Sequence, residues 1–482
     1  MEKSYTERCE EDYRKWQFKL QVSDDVVNEA TVARDSLLAS FNSANLVFCS
    51  GGTKIIKGDL SPGCKTCMNG TVSFLYINGL CTRNCFFCPQ NRRMESERAP
   101  ISAELTFNDP DLYVEYLYKC GFKGVGITGG EPLMVFERLL LFLKSIKNKF
   151  DRNMYTWIYT NGDLLDEYKL TELKNAGLDE IRFNLSARDY DLEPVILSRR
   201  FFDAITIEIP TMPEDEMIVR VIMQEIAKIG VRNLNLHPLS LSKYNLKNVL
   251  ARNYLIIHSP YNSPIVFDSE MTALSLMKYA AEKQFDFSLN YCTRLFKKIY
   301  QSCGLRKRFA NYAKAKFESI SDSGYVMRLS LKDSAENIGK IISVFEKSSV
   351  CSSLWKVEKN NSELFFHVDL ISLIPSDKSN LSLMCFEALV VPGLLRNEME
   401  AGSNDKLPVG LKLVMKEENL SSGIIKAFIS GLFPQSSEKH QIFRDFKHLV
   451  ELEEDSLRLV STREYWQKIK GQAFFSKATS NV

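Results

Sequence analysis

The central part of this chain reads as an α/β fold, a parallel sheet with covering helices, preceded by a cap and followed by a smaller α+β domain. Two observations predict it. Apolar segments of strand length alternate with segments of helical periodicity from Val72 to Cys292, which is the order of βαβ units and hence of a parallel sheet. The side chains able to ligate or react fall just after the carboxyl ends of those strands, where parallel sheets bind their ligands.

The first strand is Val72–Asn78, and Asp109-Pro110 then opens a helix with proline in its first turn. Leu112, Tyr113, Tyr116 and Leu117 recur at helical spacing, and Gly121 closes the helix. Strand 124–128 leads into a helix that puts Val135, Leu139, Leu140 and Leu143 on one face. Strand 154–160 runs into Asn161-Gly162, helix 168–176 is closed by Gly177, and strand 180–185 follows. Strands 205–209 and 231–236 flank the helical stretch 214–229, and a short last strand covers 286–292. Upstream, 25–41 reads as a helix and Gly51-Gly52 as a turn.

Beyond about residue 320 the alternation stops. There 325–331, 354–359, 363–370 and 382–391 read as strands, 335–346 as a helix, and the tail 443–475 as terminal helices. Cys120, Cys351 and Cys385 lie in apolar contexts and read as core residues. The expected organisation is therefore a cap over 1–62, the α/β domain over 63–318, and an α+β domain over 319–482 for substrate or partner recognition.

With 45% apolar and 25% charged residues in 482, the composition is that of a globular protein of two or three domains. The charged opening lacks an apolar signal core, and the apolar run 139–142 is broken by Lys144 and Lys147, so no membrane partner and a cytoplasmic location are expected. Twelve cysteines without an export signal fit a reducing compartment. A net charge of +2 does not call for a polyanionic partner. The stretch Arg306-Lys307-Arg308, with Lys314 and Lys316, is the candidate contact for nucleic-acid phosphates, a solvated helix face being the plainer reading.

Cys81, Cys85 and Cys88 form a Cys-x3-Cys-x2-Cys loop directly after the first strand. Three thiolates this close can bind three irons of a cubane and leave the fourth iron open to a small ligand. Zinc prefers four donors from separated pairs, and three unrelated buried thiols are the remaining alternative. Some forty residues on, the second strand ends in Gly129-Gly130-Glu131-Pro132. Glycines allow close approach of backbone, and Glu131 is an anionic acceptor suited to an ammonium group.

Together these two motifs resemble the radical S-adenosylmethionine (radical SAM) superfamily, over roughly residues 63 to 295. The resemblance implies a partial (β/α)6 barrel and a 4Fe–4S cluster on Cys81, Cys85 and Cys88. It implies S-adenosylmethionine held by Gly129, Gly130 and Glu131, with Phe87 against its adenine. Ser186, Arg188, Asn184 and Asn161 become further candidate cofactor contacts, although Ser186 and Asn161 also suit plain turns. The activity implied is reductive cleavage to a 5′-deoxyadenosyl radical that takes hydrogen from a small-molecule or peptide substrate, with flavodoxin or ferredoxin as electron donor.

Cys64 and Cys67 make a Cys-x2-Cys half-site just upstream, and Cys292 ends the last strand. These three are a second candidate set, for zinc or an auxiliary iron–sulfur cluster. Gly-Cys-x2-Cys before the triplet is similar to a subgroup related to pyruvate formate-lyase activating enzyme. Where that subgroup tends to carry acidic residues, this chain has Leu234-Asn235-Leu236-His237-Pro238-Leu239-Ser240. That departure leaves room for a metal-stabilised binding or regulatory protein on a degenerate barrel, or for a nucleic-acid modifying enzyme. For His237, a substrate-contacting imidazole is weighed against a satisfied structural one.

Overall fold

The computed structural model describes residues 24–41, 46–50, 53–90, 100–103, 105–258, 264–321, 324–358, 361–375, 381–391 and 410–417. They divide into two units, one of residues 24–301 without 119–121, the other of 119–121 and 302–417. The expected tail helices at 443–475 lie outside the described residues.

Alternation along the strands decides how the first unit is built. Its strands are β1 (Leu46–Cys49), β2 (Lys54–Lys57), β3 (Val72–Asn78), β4 (Ile101–Ser102), β5 (Leu105–Thr106), β6 (Gly124–Gly129) and β7 (Tyr155–Thr160). They continue with β8 (Glu180–Asn184), β9 (Ile205–Thr211), β10 (Asn233–Pro238), β11 (Ile256–His258), β12 (Pro264–Val266) and β13 (Ser288–Cys292). Eleven of them form one sheet, in the order β1-β2-β13-β10-β9-β8-β7-β6-β3-β4-β5. From β13 to β3 every pairing is parallel, and β2 and β4 flank that array antiparallel. Among the described residues no pairing joins the β3 side to the β13 side, so the sheet is an open, mainly parallel α/β array.

One face of the sheet is apolar. Ile127, Ile158, Ile181, Ile207, Leu234 and Leu289 are fully buried on it, and the Phe267–Glu282 helix packs against β9, β10 and β13. Tyr291 reaches that helix, donating its hydroxyl to Glu270 Oε1 over 2.6 Å. The same carboxylate pairs with Arg34 of the Asp24–Ala39 helix at 3.1 Å, which fastens the N-terminal cap.

The opposite face is polar and still buried: Glu180, Arg182, Thr206, Glu208, Asn235 and Asn290 alternate with the apolar set. Arg182 bridges Glu180 at 2.9 Å and Glu208 at 3.0 Å, so each buried charge has a partner, as a low-dielectric interior demands. The short Pro62–Met68 helix lies on this face. A side chain at Gly63 would meet Arg182, Glu180 and Trp157, and one at Gly124 would meet Thr66.

The second unit is α+β. Its sheet runs Trp355–Val357, Glu363–Phe366, Val326–Lys332, Leu381–Val391, Gly410–Glu417, with Ser319–Ile320 paired to Val326–Lys332. Ile338, Ile341 and Phe345 of the Ala335–Lys347 helix share a core with Leu331, Leu364 and Phe366. One expectation needs correction here: Cys351 is exposed, not a core residue. In the basic stretch, Arg306 is buried with its guanidinium over the Tyr325 ring, Arg308 donates to the Gly121 carbonyl, and Lys314 donates to the Glu318 carbonyl, whereas Lys316 is exposed.

Candidate functional site

The carboxyl ends of β3, β6 and β7 converge because their loops share backbone hydrogen bonds. Glu131 N donates to the Leu80 carbonyl at 2.6 Å and Gly130 N to Asn78 at 3.2 Å, while the Asn78 side chain donates back to the Glu131 carbonyl at 3.0 Å. Contact this close needs glycine. A Cβ on Gly130 would fall 1.8 Å from the Leu80 carbonyl oxygen, and Gly129 adopts φ +135° with Asn78 O 2.4 Å from any Cβ. The glycine pair thus brings the turn against the cysteine loop.

Glu131 turns inward at the end of β7. It accepts from the Thr160 hydroxyl at 2.8 Å, from Asn161 N at 2.8 Å and from Leu133 N at 3.2 Å. Burial outweighs these bonds and pushes its carboxyl up to about 7. Much of its accepting capacity is used inside the protein.

The cysteine loop is pinned at both ends. Asn161 donates to Thr82 Oγ1 at 2.8 Å and reaches Cys81 Sγ at 3.9 Å, so it is more than a turn residue. Asp163 takes Arg83 at two points, Nε at 2.6 Å and Nη2 at 2.7 Å, and the Thr82 hydroxyl at 2.8 Å. These bonds, Arg83's above all, hold its carboxyl below the usual carboxylate range. At the other end, Asn245 donates to the Phe87 carbonyl at 2.8 Å, and Phe87 is buried among Met212, Leu239, Leu241 and Val249. Cys81, Cys85 and Cys88 are half-buried on this loop. Three thiol donors on one partly open loop suit iron.

Other expected residues are less central. Ser186 donates to Asn184 Oδ1 at 2.9 Å within its own turn. Arg188 bonds Asp191 at 2.8 Å and comes within 3.4 Å of Asp163, at the margin of the loop contacts.

Cys64, Cys67 and Cys292 belong to the polar face. Asn235 and Asn290 direct amide N–H groups at Cys64 Sγ, 3.4 and 3.7 Å away, and Gln301 donates to Cys67 Sγ at 3.1 Å. Burial pushes the Cys67 thiol up to about 12. At Cys292 burial acts the same way, but Lys54, its register partner in β2, together with His237 and Lys297 brings the thiol down to about 6. Among the described residues no three His, Cys, Asp or Glu side chains converge on a single metal ion. His237 meets Glu208 through Nε2 and the Cys292 carbonyl through Nδ1. Both partners accept only, so the ring donates from both nitrogens. That is the satisfied histidine.

Asp163, Arg83 and Asn245 were not legible as site residues. Asp163 sits in what the sequence offers as an Asn-Gly turn, and Asn245 in a stretch without periodicity.

Residues 75–206 match the model of the radical SAM superfamily. This chain carries a radical SAM domain. A Methanocaldococcus jannaschii protein named as a glycyl-radical enzyme activating enzyme is 29% identical over 305 residues, 60% of this chain and 79% of that protein. A GTP 3′,8-cyclase of Rhodopirellula baltica is 33% identical over 116 residues, 23% of this chain and only 30% of the cyclase. Streptococcus suis SuiB bound to S-adenosylmethionine aligns with a TM-score of 0.34 and 14% identity, over 53% of this chain and 59% of that one. Over residues 75–206 the chain is thus similar to the radical SAM superfamily, whose members use a 4Fe–4S cluster and S-adenosylmethionine, and over 305 residues to the activating-enzyme relative. No helix among the described residues is long and apolar enough to cross a membrane.

Proposed function

We propose that Cys81, Cys85 and Cys88 hold the 4Fe–4S cluster and that the radical SAM domain acts on a polypeptide substrate. The observation that carries the cluster assignment is the hydrogen-bonded junction of the cysteine loop with the Gly129–Glu131 turn and Asn161. When bound, the cluster supplies the electron that cleaves S-adenosylmethionine and yields a 5′-deoxyadenosyl radical. The protein's part is binding, orientation and exclusion of water. Gly129 and Gly130 would offer backbone to the methionine end, and Glu131, whose Oε1 accepts twice and Oε2 once within the protein, fixes the turn and would take an ammonium on Oε2. Phe87, walled by Met212 and Leu239, supplies an apolar surface for the adenine.

The polypeptide substrate is supported by the name of the Methanocaldococcus jannaschii relative, which describes activation of an enzyme. A small one-electron protein of the flavodoxin or ferredoxin kind would serve as donor. The same reading keeps Cys64, Cys67 and Cys292 as ligands of an auxiliary iron–sulfur cluster. In its favour, amide N–H groups point at the sulfurs of Cys64 and Cys67, and Lys54 stands across from Cys292; such groups favour thiolates.

Anaerobic reconstitution of the Cys85→Ala variant tests the assignment. A folded variant without the cubane spectrum and without tight S-adenosylmethionine binding is expected; a cluster of wild-type spectrum would refute it.

A further inference from the structure

The cysteine loop carries a permanent cation between its first two cysteines. Arg83 follows Cys81 by two residues and precedes Cys85 by two. A carboxylate from another strand end is committed to it: Asp163, just beyond β7, binds Nε at 2.6 Å and Nη2 at 2.7 Å. The Asp163 side chain is 14% exposed and that of Arg83 35%, so the pair lies partly out of solvent screening.

An anchoring role alone would not need charge, because Asp163 also accepts from Thr82 at 2.8 Å and its own N–H is held by Asn161 at 2.9 Å. The charge has a separate consequence. A guanidinium beside a thiolate-bound cluster stabilises the added electron and raises the reduction potential, whereas a carboxylate bound to it at two points cancels most of that field. We propose that Asp163 is a positioning residue that also sets the potential: it fixes residues 81–83 and neutralises Arg83, keeping the cluster strongly reducing. The inference rests on the cluster assignment to Cys81, Cys85 and Cys88 made above.

The test is a potentiometric titration, followed by electron paramagnetic resonance, of the reconstituted full chain. Wild type, Asp163→Asn, Asp163→Glu and Arg83→Gln are compared, with iron per chain counted in each. Asp163→Asn is expected to shift the midpoint to more positive potential, Asp163→Glu to stay near wild type, and Arg83→Gln, which removes the cation bound at two points and leaves the carboxylate only the longer 3.4 Å contact with Arg188, to shift it more negative. An unchanged midpoint in Asp163→Asn overturns the proposal. Should Asp163→Asn fail to keep its cluster, Arg83→Gln carries the same test: a more negative midpoint supports the proposal and an unchanged one overturns it. Failure of the wild-type chain to assemble any cluster would tell instead against the assignment beneath it.

Discussion

Asn245 donates its side-chain amide to the Phe87 carbonyl over 2.8 Å and to the Ser240 carbonyl over 2.9 Å, tying the segment after β10 to the cysteine loop. The residue is buried, and its own oxygen accepts from Ser242 N at 2.8 Å. Asn245→Ala would strand buried backbone groups, at about 1–3 kcal/mol for each unsatisfied group. Urea unfolding of the cluster-free protein should show a loss in that range, and reconstituted iron should fall with it. Unchanged stability would mean that the loop is held by its apolar contacts alone.

The glycine pair gives a sharper contrast. Gly130→Ala places a methyl 1.8 Å from the Leu80 carbonyl, where only backbone movement relieves the clash. Reconstituted iron and S-adenosylmethionine binding should both be largely lost. A methyl on Gly339 in the Ala335–Lys347 helix would meet no heavy atom within 4 Å beyond the helix's own neighbouring backbone. There alanine should stabilise by about 0.5–1 kcal/mol through helix propensity.

Breaking the Arg34–Glu270 pair should loosen the cap. Both side chains are buried, and removing one partner of such a pair typically costs about 3–5 kcal/mol, because it strands the other charge. Arg34→Ala is expected to lower the thermal midpoint markedly, and proteolysis should then cut first in the Asp24–Ala39 helix.

Two carboxyl groups give opposite pH dependences. Burial raises Glu208, but the charge and hydrogen bond of His237, with Arg182 and Asn235, outweigh it and bring Glu208 down to about 2. Its folded value lies below the ordinary glutamate value of about 4.3, so it stabilises above that pH and the contribution is lost as pH falls toward about 2. Glu131 is raised to about 7, so its ionisation works against folding as pH rises from about 4.3 through 7. Thermal midpoints of Glu208→Gln should lie below wild type at neutral pH and converge with it on acidification. For Glu131→Gln, the decline between about pH 4 and 7 should flatten.

The succession of strands along the chain, the cysteine loop and the glycine turn were legible because each rests on local pattern. β3, β7 and β13 fall where alternation and punctuation put them, within about two residues. β1 and β2 were missed because each has only four residues, and β2 is defined by pairing with β13 rather than by its own pattern. The Phe267–Glu282 helix escaped because it is buried on several sides, including Ser269, Glu270 and Thr272, and so has no amphipathic stripe. The polar face had a signal that went unread: Asn233-Leu234-Asn235-Leu236-His237 and Ser288-Leu289-Asn290-Tyr291-Cys292 alternate strictly. Such alternation ordinarily means a solvated face, and the covering Pro62–Met68 helix, which turns it into an interior, lies far upstream in sequence.

The central claim, a radical SAM enzyme built on Cys81, Cys85 and Cys88, is tested most directly by one assay. The full chain is reconstituted anaerobically with iron and sulfide, reduced with dithionite, and assayed for 5′-deoxyadenosine from S-adenosylmethionine beside the Cys85→Ala variant. Deoxyadenosine from wild type and none from the variant is the predicted result. A wild-type chain that assembles its cluster and binds S-adenosylmethionine but never cleaves it would contradict the claim.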